Sequence, residues 1–270
     1  MRGRYRPYYL ARDYDKEVIR KGKCLLDGLR LYLPLFRIID FSSVGFRTSL
    51  HSWIVDRPIH VMSHVELDAV YLFHSRCDIV QIFEQFALDP SETQAIAARL
   101  GIKHPAVPAG DIIMSTDFVV TIKKGGMRKR KAIAVKREQD LTPRVLEKLA
   151  IEREYWVARS IDWNLILDTM LPRTVVQNLG LVFEWHNPAK LPCDEQTVGL
   201  VRSWLAPHVD TRAGPLATLC RRCDHQLHVS SGTALAVAYH LIVRRSLPID
   251  YTRPIHPIPS LLRPELHGNN

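Results

Sequence analysis

Two arms of strict alternation around a pair of glycines, in STDFVVTIKKGGMRKRKAIAVK from Ser115 to Lys136, restrict this chain more than any other stretch. Phe118, Val120 and Ile122 share one face, Asp117, Val119 and Thr121 the other, and the second arm alternates likewise through Ile133 and Val135. That period of two, with glycines between the arms, predicts a β-hairpin. A turn over Gly125, Gly126 and Met127 places Asp117 directly across from Lys136, and cross-strand partners point the same way. An acid beside an ammonium, with Lys123, Lys124, Arg128, Lys129, Arg130 and Lys131 crowded at the loop, suits a metal ion and a phosphodiester. An ordinary cross-strand salt bridge accounts for the Asp117 and Lys136 pair equally well.

At 270 residues and 46% apolar, the chain can bury a sizeable core in one large or two modest domains. It shows no run of eighteen apolar residues and no secretory h-region, which predicts a soluble, cytoplasmic protein away from membranes. Five cysteines, scattered and odd in number, do not make a disulfide framework. The net charge of +9 favours a polyanionic partner. Further cations cluster at Arg2, Arg4 and Arg6 and at Arg20, Lys21 and Lys23, where a solvated surface is the plain alternative.

Around the hairpin the elements alternate. A loosely helical start gives way to short strands around Phe46 to Val61, and Ser63 then opens a helix to about Ser75. Glu66 stands at the capping-box position after Ser63, yet its helical neighbours Ala69, Val70 and Phe73 are apolar, so it serves either as a cap or as a buried acid. Ile79 to Phe86 reads as a strand whose Glu84 and Gln85 need partners if buried. Asp89-Pro90-Ser91-Glu92 starts a helix that Gly101 ends, and Thr142-Pro143 starts a longer one to about Arg159. Glu152 lies within the stripe Val145, Leu149, Trp156 of that helix, where a carboxylate without a partner costs several kcal/mol. Trp163 to Leu167 completes the set as a buried strand.

Prolines become denser after Leu171, which puts a domain boundary near Asp168 to Pro172. Helices follow at Gln196 to Leu205, Leu216 to Arg222 and Ser231 to Arg244, then a short strand at Pro248 to Tyr251 and an extended tail from Arg253. Three helices and a strand predict a small winged-helix or helix-turn-helix module. Cys220, Cys223, His225 and His228 lie too close together on a helix and turn to make a convincing tetrahedral zinc site. No Walker, Rossmann or nucleophile-elbow motif is present.

SHVELDAV, FEQFALDPSETQAIAARLGIKHP, MSTDFVV, AIAVK, LEKLAIEREYW and WNLILD, over about residues 60 to 168, together resemble the TnsA family of heteromeric bacterial transposons. That resemblance implies an α/β (α+β) restriction-endonuclease-like core over 1–168, with a mixed sheet flanked by helices. It also implies a mainly α, winged-helix-like partner or DNA-binding domain over 169–270. The family's acids fall on Glu66, Asp117 and Glu152 and its lysine on Lys136. The resemblance implies Mg²⁺, replaceable by Mn²⁺, held by Glu66, Asp117 and the Val135 carbonyl. It further implies cleavage of the 5′ strands of double-stranded DNA at transposon ends, beside a DDE-family transposase and an AAA+ regulator bound through the C-terminal domain, in the bacterial cytoplasm at the nucleoid. Ala134 departs from the pattern, which has an acid or glutamine there, and Arg137 stands where a proline is usual. Two further functions remain open at this stage, a catalytically weak DNA-binding assembly subunit and a stand-alone restriction or resolvase nuclease.

Overall fold

The computed structural model describes residues 9–19, 32–40, 45–208 and 215–255. The basic clusters at Arg2 to Arg6 and Arg20 to Lys23, and the tail beyond Ile255, lie outside them. The chain divides into two compact units, Met1–Leu171 and Pro172–Asn270.

In the first unit, strands β1 (Thr48–Ser52) and β2 (Arg57–Val61) form a hairpin ahead of helix α1 (His64–His74). Strand β3 (Ile79–Ala87) leads into α2 (Pro90–Leu100), capped by the Asp89 carboxylate and ended by Gly101 in the left-handed region at φ +66°. After the short β4 (Ala106–Val107) and β5 (Gly110–Asp111) comes the long hairpin of β6 (Ser115–Lys124) and β7 (Met127–Lys136). Helix α3 (Pro143–Val157) then crosses back to β8 (Asp162–Leu167), which runs parallel to β7. The main sheet has the order β3-β6-β7-β8, antiparallel except for its last pair. Its strands β3, β6 and β7 bury residues on both faces, whereas β8, read from the sequence as a buried strand, lies at the sheet edge with no buried residue. Ile82, Phe118, Val120, Ile133 and Val135 pack with Val65, Ala69 and Phe73 of α1 on one side. Phe83, Val119 and Ala132 pack with Ile151, Tyr155 and Trp156 of α3 on the other. This mixed α/β architecture fits a restriction-endonuclease-like core.

The hairpin register differs from the sequence expectation. Gly125 and Gly126, at φ +56° and +82°, make a two-residue turn, so Lys124 pairs with Met127 and Phe118 with Ile133. Extended by one residue, that register sets Ala134, not Lys136, across from Asp117. Every partner on the second arm therefore lies two residues nearer the turn than the sequence reading placed it, a slip that keeps each side chain on its face.

The second unit holds four helices, α4 (Arg173–Phe183), α5 (Glu195–Leu205), α6 (Leu216–Gln226) and α7 (Thr233–Val243). The sequence reading overlooked α4, although Val176, Leu179, Val182 and Phe183 give it a helical apolar stripe, all four buried. No strand occurs among the described residues of this unit, so the predicted strand at Pro248 to Tyr251, and with it a wing, is absent there. Asp250 instead turns the chain by accepting from the amide and hydroxyl of Thr252. Cys220 and Cys223 sit in the apolar core with Val201, Leu205, Val237 and Ile242, and burial pushes their thiols up to about 12 and about 11. Such thiols serve as small apolar side chains.

Buried Asn178 ties α4 to the end of this unit, donating to the Tyr251 and Arg253 carbonyls at 2.8 and 2.7 Å and accepting from the Ile255 amide at 3.0 Å. Asn178→Ala leaves those groups unpaired and is expected to destabilise the second unit by about 2–4 kcal/mol, read as lost amide-exchange protection in α4 and α7.

Candidate active site

The antiparallel ladder between β6 and β7 stops at Phe118 and Ile133. Beyond it, the Val135 amide donates to Asp117 Oδ2 at 2.7 Å, where a regular hairpin would pair it with backbone. A carboxylate side chain thus replaces a carbonyl in the ladder, and the strands open at the acid. Lys136 Nζ reaches the same oxygen at 2.6 Å from two residues along, which the four-carbon lysine stem allows despite the shifted register. About a third of the Lys136 side chain remains exposed.

Glu66 comes to this place from the first turn of α1. Its own amide donates to Ser63 Oγ at 3.2 Å, and the Ser63 hydroxyl donates back to its Oε1 at 3.0 Å. The Met62 amide donates to Oε2 at 2.9 Å. The alternatives left open by the sequence are therefore both met, because the carboxylate closes the helix start, one residue earlier than a capping box, while buried and facing Asp117. Gln85 Nε2 adds a bond to Oε2 at 3.1 Å.

Glu152 enters from α3. Its carboxylate accepts from Trp163 Nε1 at 3.1 Å, which supplies the partner its burial demands. A further buried acid, Glu84 of β3, is matched by the two-pronged guanidinium of Arg57, both contacts at 2.7 Å. Arg57 drew no attention in the sequence, since only the fold brings β2 beside β3.

Charge dominates this cluster. Burial raises the Glu66 carboxyl to about 7, with the Asp117 carboxylate adding to the effect. Burial and then Asp117 raise Glu152 to about 7 as well, against the pull of Lys136. Burial pushes Lys136 down, but Asp117, Glu152 and Glu66 outweigh it and hold the ammonium above its ordinary value. Three carboxyls stand against one ammonium, so full ionisation leaves two unbalanced negative charges in a desolvated place. A divalent cation matches that deficit. Among the described residues no three His, Cys, Asp or Glu side chains converge to ligate an ion by themselves. Mg²⁺ commonly uses one or two carboxylates and keeps several waters, so oxygen donors on Glu66 and Asp117, with a backbone carbonyl such as that of Val135, fit its chemistry. Ala134 offers only a methyl.

The hairpin cations lie at the far end of the same two strands. Lys129 and Lys131 share Asp162 at 2.8 and 3.7 Å. Arg128, Lys129 and Arg130 line a cavity of about 530 Å³ with Arg159 and Ser160. Arg159 was not among the sequence candidates, and its place beside the hairpin follows from α3 ending there.

An acid-rich cluster with one lysine, at the opening of a mixed sheet, has the charges that phosphodiester hydrolysis uses. In agreement, residues 77–168 match the family model described as the TnsA-like endonuclease N terminal, a span containing Asp117, Lys136 and Glu152. The chain is 31% identical over 210 residues to the transposon Tn7 transposition protein TnsA of Escherichia coli, covering 76% of this chain and 74% of that protein. The chain belongs to the TnsA family of transposition endonucleases.

The raised carboxyls set a pH dependence. Glu66 and Glu152 hold protons more tightly folded than unfolded, so between 4.5 and about 7 the folded chain binds more protons and its stability falls as pH rises. Glu152→Gln keeps an acceptor for Trp163 and removes one charge. In EDTA it is expected to stabilise the first unit by about 1–3 kcal/mol at pH 8 and to change little at pH 5, measured by urea denaturation.

Proposed function

We propose that this chain is the Mg²⁺-dependent endonuclease subunit of a heteromeric transposase, hydrolysing the 5′, non-transferred strand at each transposon end while a DDE-family transposase acts on the 3′ strand. The observation that carries this is the convergence of Glu66, Asp117 and Glu152 on Lys136 where the hairpin opens. Bound by Glu66, Asp117 and the Val135 carbonyl, Mg²⁺ would polarise the scissile phosphate and acidify an attacking water. Lys136, already oriented by Asp117 and partly exposed, is placed to donate to a phosphate oxygen and offset the charge that develops on it. Glu152, anchored by Trp163 and within the field of Lys136, is the third acid and would hold an outer-shell water.

The basic hairpin supports DNA as substrate, with Lys123, Lys124, Arg128, Lys129, Arg130 and Lys131 tracking phosphates away from the cut. The helical second unit is assigned to partner contacts, with the transposase and an AAA+ regulator. One observation favours the weaker alternative of an assembly subunit, namely that Ala134, two residues before Lys136, carries no oxygen donor.

Asp117→Ala separates the two. With the partner transposase and end DNA present, it is expected to abolish 5′-strand cleavage, a loss of at least about 10³-fold for removing the central acid, while the complex still assembles. Unchanged transposition with this variant would leave only the assembly role. Replacing Arg128, Lys129, Arg130 and Lys131 by Ser is expected to flatten the salt dependence of DNA binding by up to about four phosphate contacts. A slope equal to wild type in filter binding would take the hairpin out of the interface.

A further inference from the structure

Gln85 has its backbone in the left-handed region at φ +48°, inside strand β3. Four other non-glycine residues among those described have positive φ, namely Asp56, Ser160, His228 and Arg245, and all four lie in turns. A residue of this kind within a strand costs on the order of 1–3 kcal/mol and persists only where its surroundings over-determine it.

Those surroundings are present. The Gln85 carbonyl accepts from the Leu35 amide at 3.0 Å. Its neighbour Glu84 is gripped by Arg57, and the Glu84 carbonyl accepts from the Tyr32 hydroxyl. The twist breaks the alternation of the strand, so Phe83 and Phe86 both enter the apolar cluster under α3, while the buried Gln85 carboxamide turns to Glu66 of α1. On the neighbouring strand the pairs Glu84 with Phe118 and Phe86 with Thr116 bracket Gln85 and Asp117, which therefore face each other across the sheet.

Of the side-chain and backbone donors to the Glu66 carboxylate, Met62 and Ser63 belong to the start of its own helix. Among the described residues, Gln85 reaches it from the sheet. That bond links the acid on α1 to the strands that carry Asp117. Ala134 has no polar side-chain atom, and the carboxamide that bonds Glu66 comes from β3.

We propose that Gln85 is a positioning residue that holds Glu66 in register with Asp117 so that the two carboxylates share one divalent cation. The strained backbone is the means by which a strand residue points its side chain at the helix. This rests on the metal-dependent nuclease function proposed above.

The test uses two variants of the full chain, titrated with Mn²⁺ alone by calorimetry beside wild type and Asp117→Ala, with thermal unfolding in parallel. Gln85→Gly relieves the backbone strain and deletes the carboxamide. Gln85→Met keeps the length and bulk without the donor. Both are expected to bind Mn²⁺ about tenfold or more weakly, as for other groups that orient a metal ligand, and Gln85→Gly is expected to keep or raise the unfolding temperature. Wild-type affinity in both variants, with binding still lost in Asp117→Ala, overturns the role of Gln85 and leaves the metal site standing. Equal binding, or none, in wild type and Asp117→Ala overturns the metal site and the positioning role together. A Gln85→Gly chain without a cooperative thermal transition would make Gln85 a framework residue and also overturn the proposal.

Discussion

When Asp117 accepts from the Val135 amide, a side chain takes over a place that the backbone ladder would otherwise fill, and much of the first unit follows from that substitution. An unsatisfied buried amide is costly, so the strands can separate there only because the carboxylate is present to receive it. Separation lets Lys136 fold back to the same oxygen and leaves room for acids from both flanking helices. Glu66 arrives from α1, Glu152 from α3, and the sheet between them brings its own acid and lysine. The cluster is thus assembled from both sides of a sheet at a point where the pairing of β6 with β7 is interrupted.

Crowding acids in this way works against stability. Two of the three carboxyls are raised to about 7 by burial and by Asp117, and one lysine is too little positive charge to balance them. The surrounding structure is arranged to tolerate that load, with hydrogen bonds from Met62, Ser63 and Trp163 and two packed apolar clusters above and below. Carboxylates crowded in this way in a desolvated place favour a divalent counter-charge. The neighbouring Glu84 and Arg57 pair shows the contrast, since a bidentate guanidinium gives a buried acid its counter-charge and assigns it to the framework.

The basic end of the hairpin belongs to the same design. Its strands are continuous with those that hold the acids, so a polyanion lying along them can meet the cations at one end and the acid cluster at the other. Asp162 moderates this surface by pairing with Lys129 and Lys131. The second unit carries no comparable cluster among its described residues. Its buried cysteines, its Asn178 network and its four helices are those of a small α-helical unit held by its own core.

What the sequence determined by itself was local. Alternation set the two arms of the hairpin, caps and glycines set α2 and α3, and the chemistry of Asp117, Lys136, Glu66 and Glu152 could be named because acids and a lysine stood at strand ends and on apolar helix faces, where they need a reason. Register could not be read in the same way, because a slip of two residues keeps every side chain on its face yet moves every cross-strand partner, as it does here for Phe118 and Ile133. The missing strand at Pro248 to Tyr251 has a similar origin, since a short apolar run pairs only if another strand lies beside it. Gln85 was visible merely as a polar residue in an apolar strand. That its backbone turns left-handed, and that its carboxamide reaches a helix nineteen residues earlier in the chain, were decided by contacts from Tyr32, Leu35 and Arg57 that only the tertiary structure brings together.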